Sequence, residues 1–217
     1  MTGPLLVATA VAAERDAILA GLPEPAVLAG RVTVAAVGVG PVAAAAATAR
    51  LLALAGAAGR PFRTVISAGV AGGVAGRAPV GATVLATRSV QADLGADSPD
   101  GFLPLDRLGL GGTCVGADPA VLARLREALP PAVTGEVLTL ATVTGTAGRA
   151  AALAAAHPAA VAEAMEGYAV GFAAIAAGTA FVEVRTISNV VGPRDRAAWR
   201  MRDALAALTR AAAALPG

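Results

Sequence analysis

Apolar and polar positions along this chain fall into two rhythms, and their alternation lays out the elements. Residues 5–10 form a short apolar run that reads as a buried first strand. Residues 14–20 read as a short helix, stopped by Gly21 and Pro23. Residues 31–37 alternate and are rich in β-branched side chains, which predicts a second strand. Gly38-Val39-Gly40-Pro41 is then a turn, with Pro41 suited to the first position of a helix over 42–55. A third strand over 64–67 runs into a glycine-rich connection, 68–73, and residues 80–90 hold another strand. Residues 93–112 read as a long polar loop carrying Phe102, a kind of loop that is often functional. Asp118 caps a helix over 120–128, and Pro130-Pro131 ends it. A strand over 135–143, a short helix over 147–156 and a longer helix over 162–177 follow. In the last helix, 197–215, Met201, Leu205, Leu208, Ala212 and Leu215 recur at alternating steps of four and three.

The stretch 181–194 organises the rest. Its first half is β-branched at Val182, Val184 and Ile187, and its second half leaves the strand through Arg185, Ser188 and Asn189. Ligands in open α/β sheets sit beyond the carboxyl ends of strands. Asn189 is therefore a candidate ligand reader, and the alternative is that Ser188-Asn189 only caps a turn. Strands alternating with helices predict an α/β class: a single three-layer domain over 1–217, with a central mixed, largely parallel twisted sheet flanked by helices.

Composition narrows the function. Hydrophobic residues make up 56% but aromatics only 3%, so the core has to be built from Ala, Val and Leu. All 17 basic residues are arginines, scattered singly and not interleaved with aromatics, so no nucleic-acid partner is expected. The single cysteine, Cys114, suits a reducing cytoplasm and reads as a small buried residue. Residues 1–13 lack the positive start of a signal peptide, and the apolar run 167–182 is too short for a membrane span. No membrane association is expected.

Several residues carry candidate chemistry. Gly38-x-Gly40-x-x-Ala43 fits the weak dinucleotide fingerprint, but residues 25–92 contain no Asp or Glu to hold a ribose. What survives is a tight turn whose backbone N–H groups can face a ligand. The glycines of 67–73 allow close backbone approach to a flat ligand, or form a plain connection. Glu166, placed within the apolar helix 162–177, needs a partner: an arginine such as Arg185, or a ligand hydroxyl. Glu14, just after the first strand, is a general-base candidate or a helix-start carboxylate favoured by the dipole. His157 reads as a surface-loop residue, Asp93, Asp97 and Asp100 as a solvated loop, and no spacing suggests a metal.

Taken in order, these segments resemble the nucleoside phosphorylase/nucleosidase superfamily. The nearest branch is the futalosine hydrolases, sisters of the methylthioadenosine/S-adenosylhomocysteine nucleosidases. The segments are the approach to Glu14, Gly38-Val39-Gly40 with its alanine helix, and Ser67 to Gly73. They continue with Ala92-Asp93-Leu94-Gly95, Thr142 to Thr146, Met165-Glu166, and Arg185 to Asn189 through Trp199.

The resemblance implies roles. Glu14 matches the glutamate that activates the attacking water. Met165 matches the methionine under the ribose, and Glu166 the glutamate that binds its 2′-hydroxyl. Asn189 stands where adenine-specific enzymes carry an aspartate. A 6-oxopurine presents O6 and N7 as acceptors, which an amide NH₂ can satisfy and a carboxylate would repel. Ala68, Gly69, Thr144, Ser188, Trp199 and Phe102 complete the substrate-binding set, and Phe102, Tyr168 or Trp199 is available to stack on the base. The implied reaction hydrolyses futalosine to hypoxanthine and dehypoxanthine futalosine, on the alternative menaquinone pathway, with no cofactor and as a homo-oligomer, most simply a dimer. The alternatives are a phosphorylase, a methylthioadenosine/S-adenosylhomocysteine nucleosidase, or a non-catalytic nucleoside-binding protein. One of Arg194, Arg196 and Arg200 should answer the carboxylate of the substrate's 5′ arm.

Overall fold

A computed structural model describes residues 3–24, 30–99 and 101–215. The strands of its main sheet are β1 (Leu5–Thr9), β2 (Val32–Ala36), β3 (Thr64–Gly73), β4 (Thr83–Gln91), β7 (Cys114–Gly116), β8 (Val133–Thr139), β9 (Ala160–Ala164) and β10 (Ala180–Val190). Between β4 and β7, β5 (Gly95–Ala96) and β6 (Leu103–Pro104) form a small antiparallel ladder of their own. The helices are α1 (Ala12–Gly21), α2 (Pro41–Ala57), α3 (Pro119–Ala128), α4 (Ala147–Ala156), α5 (Gly167–Ala176) and α6 (Met201–Ala212).

The sheet is mixed and largely parallel. β1 pairs in parallel with β2 and β3, β3 with β10, and β8 with β4 and β9. β10–β4, β3–β9 and β4–β7 are antiparallel. The pairing order β3–β10–β4–β8–β9 returns to β3, so these strands close into a ring, and β1 and β2 extend from it as an open wing. Closure depends on the length of β3: its first half pairs with β1, and its last two residues, Gly72 and Gly73, pair with β9.

Alternation along β1 sends Leu5 and Val7 to one face and Leu6 and Ala8 to the other. The first pair packs with Ile18, Leu125 and Leu208 from α1, α3 and α6. The second pair packs with Ala44, Leu52 and Val170 from α2 and α5. These are the outer layers of a three-layer sandwich. A third cluster, including Ala71, Ala86, Ala162 and Ile187, packs among the ring strands.

Two expectations fail here. Residues 160–164 are a fully buried strand, not the start of a helix. Alanine fits both states, and burial between β8 and β3 overrides its helix propensity. The glycine run 68–73 is likewise strand, since β10 pairs along its whole length and β9 pairs with Gly72 and Gly73 on the other edge. The long loop 93–112 also carries the short β5–β6 ladder. Among the described residues no helix is long and apolar enough to cross a membrane.

Candidate active site

Glu14 lies in the first turn of α1, at the carboxyl end of β1. Its Oε2 accepts from the backbone N–H of Ala10 at 2.9 Å and of Val11 at 3.3 Å. Its Oε1 accepts from the Val70 N–H at 2.8 Å. Three backbone donors on two oxygens hold the head rigidly, and the N-terminus of α1 favours its charge. This close approach requires Gly69. A Cβ there would stand 2.6 Å from Glu14 Oε1 and 2.8 Å from Arg185 Nη1, so the same gap admits both side chains.

Arg185, on β10, is 1% exposed. Its Nε donates to Glu183 Oε1 at 2.8 Å, its Nη2 donates to Ser67 Oγ at 3.2 Å, and Nη2 stands 3.6 Å from Glu166 Oε2. Burial opposes its charge, but the carboxylates of Glu183, Glu166 and Glu14 outweigh it, and the guanidinium is held above its ordinary pKa. Glu183, fully enclosed and bonded to the Ser89 hydroxyl, is pushed above the usual carboxylate range by burial, against the pull of Arg185. Room for it comes from Gly167, where a Cβ would overlap its carboxylate.

Glu166 is not inside a helix. It caps the start of α5, two residues after β9 ends at Ala164. Its Oε1 accepts from the Gly40 N–H at 3.1 Å, and its Oε2 faces Arg185. Within the chain, Arg185 is thus the charged partner of Glu166. The Gly38–Gly40 turn aims a donor at this carboxylate. Met165, half-buried, precedes it.

Asn189 borders a cleft of about 70 Å³, together with Gly72, Val143, Thr144, Glu163 and Trp199. The residue is still within β10, which continues to Val190 past an irregularity between Ile187 and Asn189, so the strand does not end before it. Ser188 Oγ donates to Asn189 Oδ1 at 2.8 Å, and Asn189 Nδ2 donates to the Val190 carbonyl at 3.0 Å. One amide hydrogen is left over. Asn189 pairs with Gly72, while Glu14 and Arg185 crowd Gly69. Three strand residues, roughly 10 Å, separate the two positions.

Other sequence candidates sort themselves by position. Thr144 lines the cleft, bonded through both its N–H and its hydroxyl to Glu163. Trp199 lines it too, with the Arg194 and Arg196 guanidinium carbons 5.7 Å and 6.0 Å from its ring centroid. Arg194 also borders the cleft, whereas Arg200 is engaged by Asp203 at 2.8 Å on the surface. Ser188 is buried behind Asn189 and orients it rather than facing the cleft. The Ala68 side chain is in the core beside Ile66 and Val184, so only its backbone adjoins the site.

Phe102, 46% exposed, lies over Gly95 on the β5–β6 ladder and does not line the cleft. Tyr168 points to another surface, where its hydroxyl donates to Gly112 O. Asp93 is not simply solvated: it braces the loop before Thr144 by accepting from Ala141 N at 2.7 Å. Cys114 is exposed on the short strand β7, not buried, because edge pairing leaves its side chain outside the core. His157 is half-buried at the end of α4, and its carbonyl accepts from Arg77. Asp100 lies outside the described residues. Among the described residues no group of three or more His, Cys, Asp or Glu side chains is placed to hold a metal.

Sequence reasoning missed Glu183, Ser67, Ser89 and Glu163. A signal for the first was present: Glu183 and Arg185 are two apart in a strand, hence on one face. Glu163 was illegible once its segment was read as helix.

A profile of the Phosphorylase superfamily matches residues 26–216. A futalosine hydrolase of Streptomyces coelicolor is 50% identical over 218 residues, covering 95% of this chain and 92% of the relative. One of Acidothermus cellulolyticus is 48% identical over 218 residues, covering 97% and 89%. Among solved structures, a methylthioadenosine/S-adenosylhomocysteine nucleosidase of Colwellia psychrerythraea superposes with a TM-score of 0.83 at 20% identity, covering 100% of this chain and 96% of that one. The fold thus has a counterpart among known structures, and the chain belongs to the phosphorylase superfamily and, within it, to the futalosine hydrolases.

Proposed function

We propose that this protein hydrolyses the N-glycosidic bond of futalosine, releasing hypoxanthine and dehypoxanthine futalosine. The observation that carries the reading is the Glu14 carboxylate, held by three backbone N–H groups beside Arg185 and Gly69. A carboxylate held this way can take a proton from water as it attacks the anomeric carbon. It would repel phosphate. The guanidinium of Arg185, which could otherwise attract phosphate, is already taken up by Glu183, Ser67 and Glu166. Both features favour hydrolysis over phosphorolysis.

The remaining roles follow from position. Glu166, anchored by Gly40 and Arg185, receives a ribose hydroxyl, and Met165 packs under the sugar. Asn189 donates its spare amide hydrogen to the acceptors of a 6-oxopurine and stabilises charge building on the departing base. Thr144 and Trp199 wall the base, and Arg194 is the arginine best placed to meet the arm's carboxylate. The chain works in the cytoplasm as a homodimer. That assembly would cover an apolar hollow of about 390 Å³ lined by Pro41, Val42, Tyr168 and Phe172, where Val42 and Phe172 are exposed.

Base release from futalosine, followed by chromatography with and without phosphate, tests the reaction. Equal hypoxanthine release in both buffers is expected. Release only with phosphate, as a sugar 1-phosphate, would replace the proposal with a phosphorylase.

A further inference from the structure

We infer that Glu163 is the second base-reading residue: it accepts the N1–H of a 6-oxopurine and thereby selects hypoxanthine over adenine. This rests on the proposed reading of the cleft as a purine site. Of three polar positions along this edge, two distinguish the bases. N7 is an acceptor in both. Position 6 is an acceptor in hypoxanthine and a donor in adenine. Position 1 is a donor, N–H, in hypoxanthine and an acceptor in adenine. Asn189 can address the acceptors at 6 and 7, but an amide donor leaves N1–H unread.

Glu163 is the one carboxylate among the residues lining the cleft that holds Asn189. It is 6% exposed, on β9, across from Gly72 of β3. Its Oε1 accepts from Thr144 N at 2.7 Å, and its Oε2 accepts from the Thr144 hydroxyl. A carboxylate offers about four acceptor sites, so two remain. Among the described residues Glu163 has no ion-pair partner.

A loop brace alone does not call for a charge here. A glutamine could accept from Thr144 N and donate to Thr144 Oγ, without the cost of an unpaired buried carboxylate. Spare acceptor capacity in a cleft whose other reader is a donor fits a ligand that brings one N–H of its own.

The substitution Glu163→Gln tests this directly. It keeps the brace and replaces one acceptor with a donor that suits N1 of adenine. Turnover of futalosine and of its 6-amino counterpart is measured for wild type and variant. The wild type is expected to favour futalosine strongly. In the variant the ratio of the two kcat/KM values should shift toward the 6-amino substrate by about 100-fold, since a site built around a hydrogen bond strongly rejects a ligand that leaves it unpaired. An equal loss on both substrates, with the ratio unchanged, would make Glu163 a loop brace and overturn the inference. A second measurement needs no variant. Hypoxanthine should inhibit the wild type far better than 1-methylhypoxanthine, which lacks N1–H, and equal inhibition would also overturn it. Failure of the wild type to release hypoxanthine from futalosine would instead overturn the proposed function, so the two failures are distinguishable.

Discussion

Glu14 Oε1 accepts a hydrogen bond from the backbone N–H of Val70 at 2.8 Å, joining the first helix to the middle of β3 across 56 residues of chain. Glu14→Gln should lower kcat by roughly 10²–10⁴, the range for losing a general base. The amide also presents an NH₂ where the carboxylate accepts from backbone donors. Unfolding free energy should therefore fall by about 1–3 kcal/mol, the cost of a buried donor left unpaired. Steady-state kinetics with urea denaturation checks both, and full activity in the variant would remove Glu14 from the mechanism.

Gly69→Ala is the sharper geometric test. The added methyl would press on Glu14 Oε1 and Arg185 Nη1 at 2.6 Å and 2.8 Å. Displacement of the base by about 1 Å should cost about 100-fold in kcat. KM should change far less, because Gly69 does not line the cleft that holds Asn189. Wild-type kcat in this variant would show that the neighbours yield without consequence.

Ser188→Ala leaves Asn189 Oδ1 without its 2.8 Å donor. The amide then loses its preferred orientation, and kcat/KM on futalosine should fall about tenfold, while Asn189→Asp should fall further because a carboxylate repels O6 and N7. Kinetics on both variants decide it, and unchanged values for Asn189→Asp would remove the argument for a 6-oxopurine.

Glu183→Ala breaks the closest contact of a buried arginine. Removing one member of such a pair costs about 3–5 kcal/mol. Chemical denaturation should show a loss of this size, and a loss below about 1 kcal/mol would mean that Glu166 and Ser67 hold Arg185 without it.

His157 supplies a pH test remote from the chemistry. Burial lowers its pKa from the ordinary 6.5, opposed by Glu136 and aided by Arg88. The unfolded chain then binds a proton more readily than the folded one between the two pKa values. The stability His157 contributes is present above about pH 6.5 and is lost as pH falls through the lowered value. His157→Asn should lose less stability than wild type between pH 7 and pH 5.5 in parallel urea titrations. Identical losses would show that this imidazole is not linked to folding.

Much was legible in the chain. The α/β alternation, the buried first strand, the Asp118 cap and the amphipathic last helix depend on local spacing and local hydrogen bonds, and they appear near where that spacing puts them, the last helix over Met201–Ala212 within the expected 197–215. Glu14 and Asn189 are legible as polar groups at strand ends and Glu166 as a carboxylate in an apolar segment, whereas Thr144 and Trp199 come from the family resemblance.

Other features were decided only by tertiary structure. Alanine specifies neither strand nor helix strongly, so residues 160–164 became a strand through pairing with β8 and β3. That choice turned Glu163 toward the cleft and set Glu166 at a strand–helix junction within reach of Gly40 and Arg185. Likewise, Phe102 was available to stack on a base by composition but was carried away on the β5–β6 ladder. Local sequence determines which segments are extended or helical when their side chains have strong preferences. The burial of Glu183 against Arg185, and the gap at Gly69 that admits Glu14, follow from strands distant in sequence being forced side by side, because that arrangement buries their apolar faces and gives Glu183 and Glu14 hydrogen-bond partners.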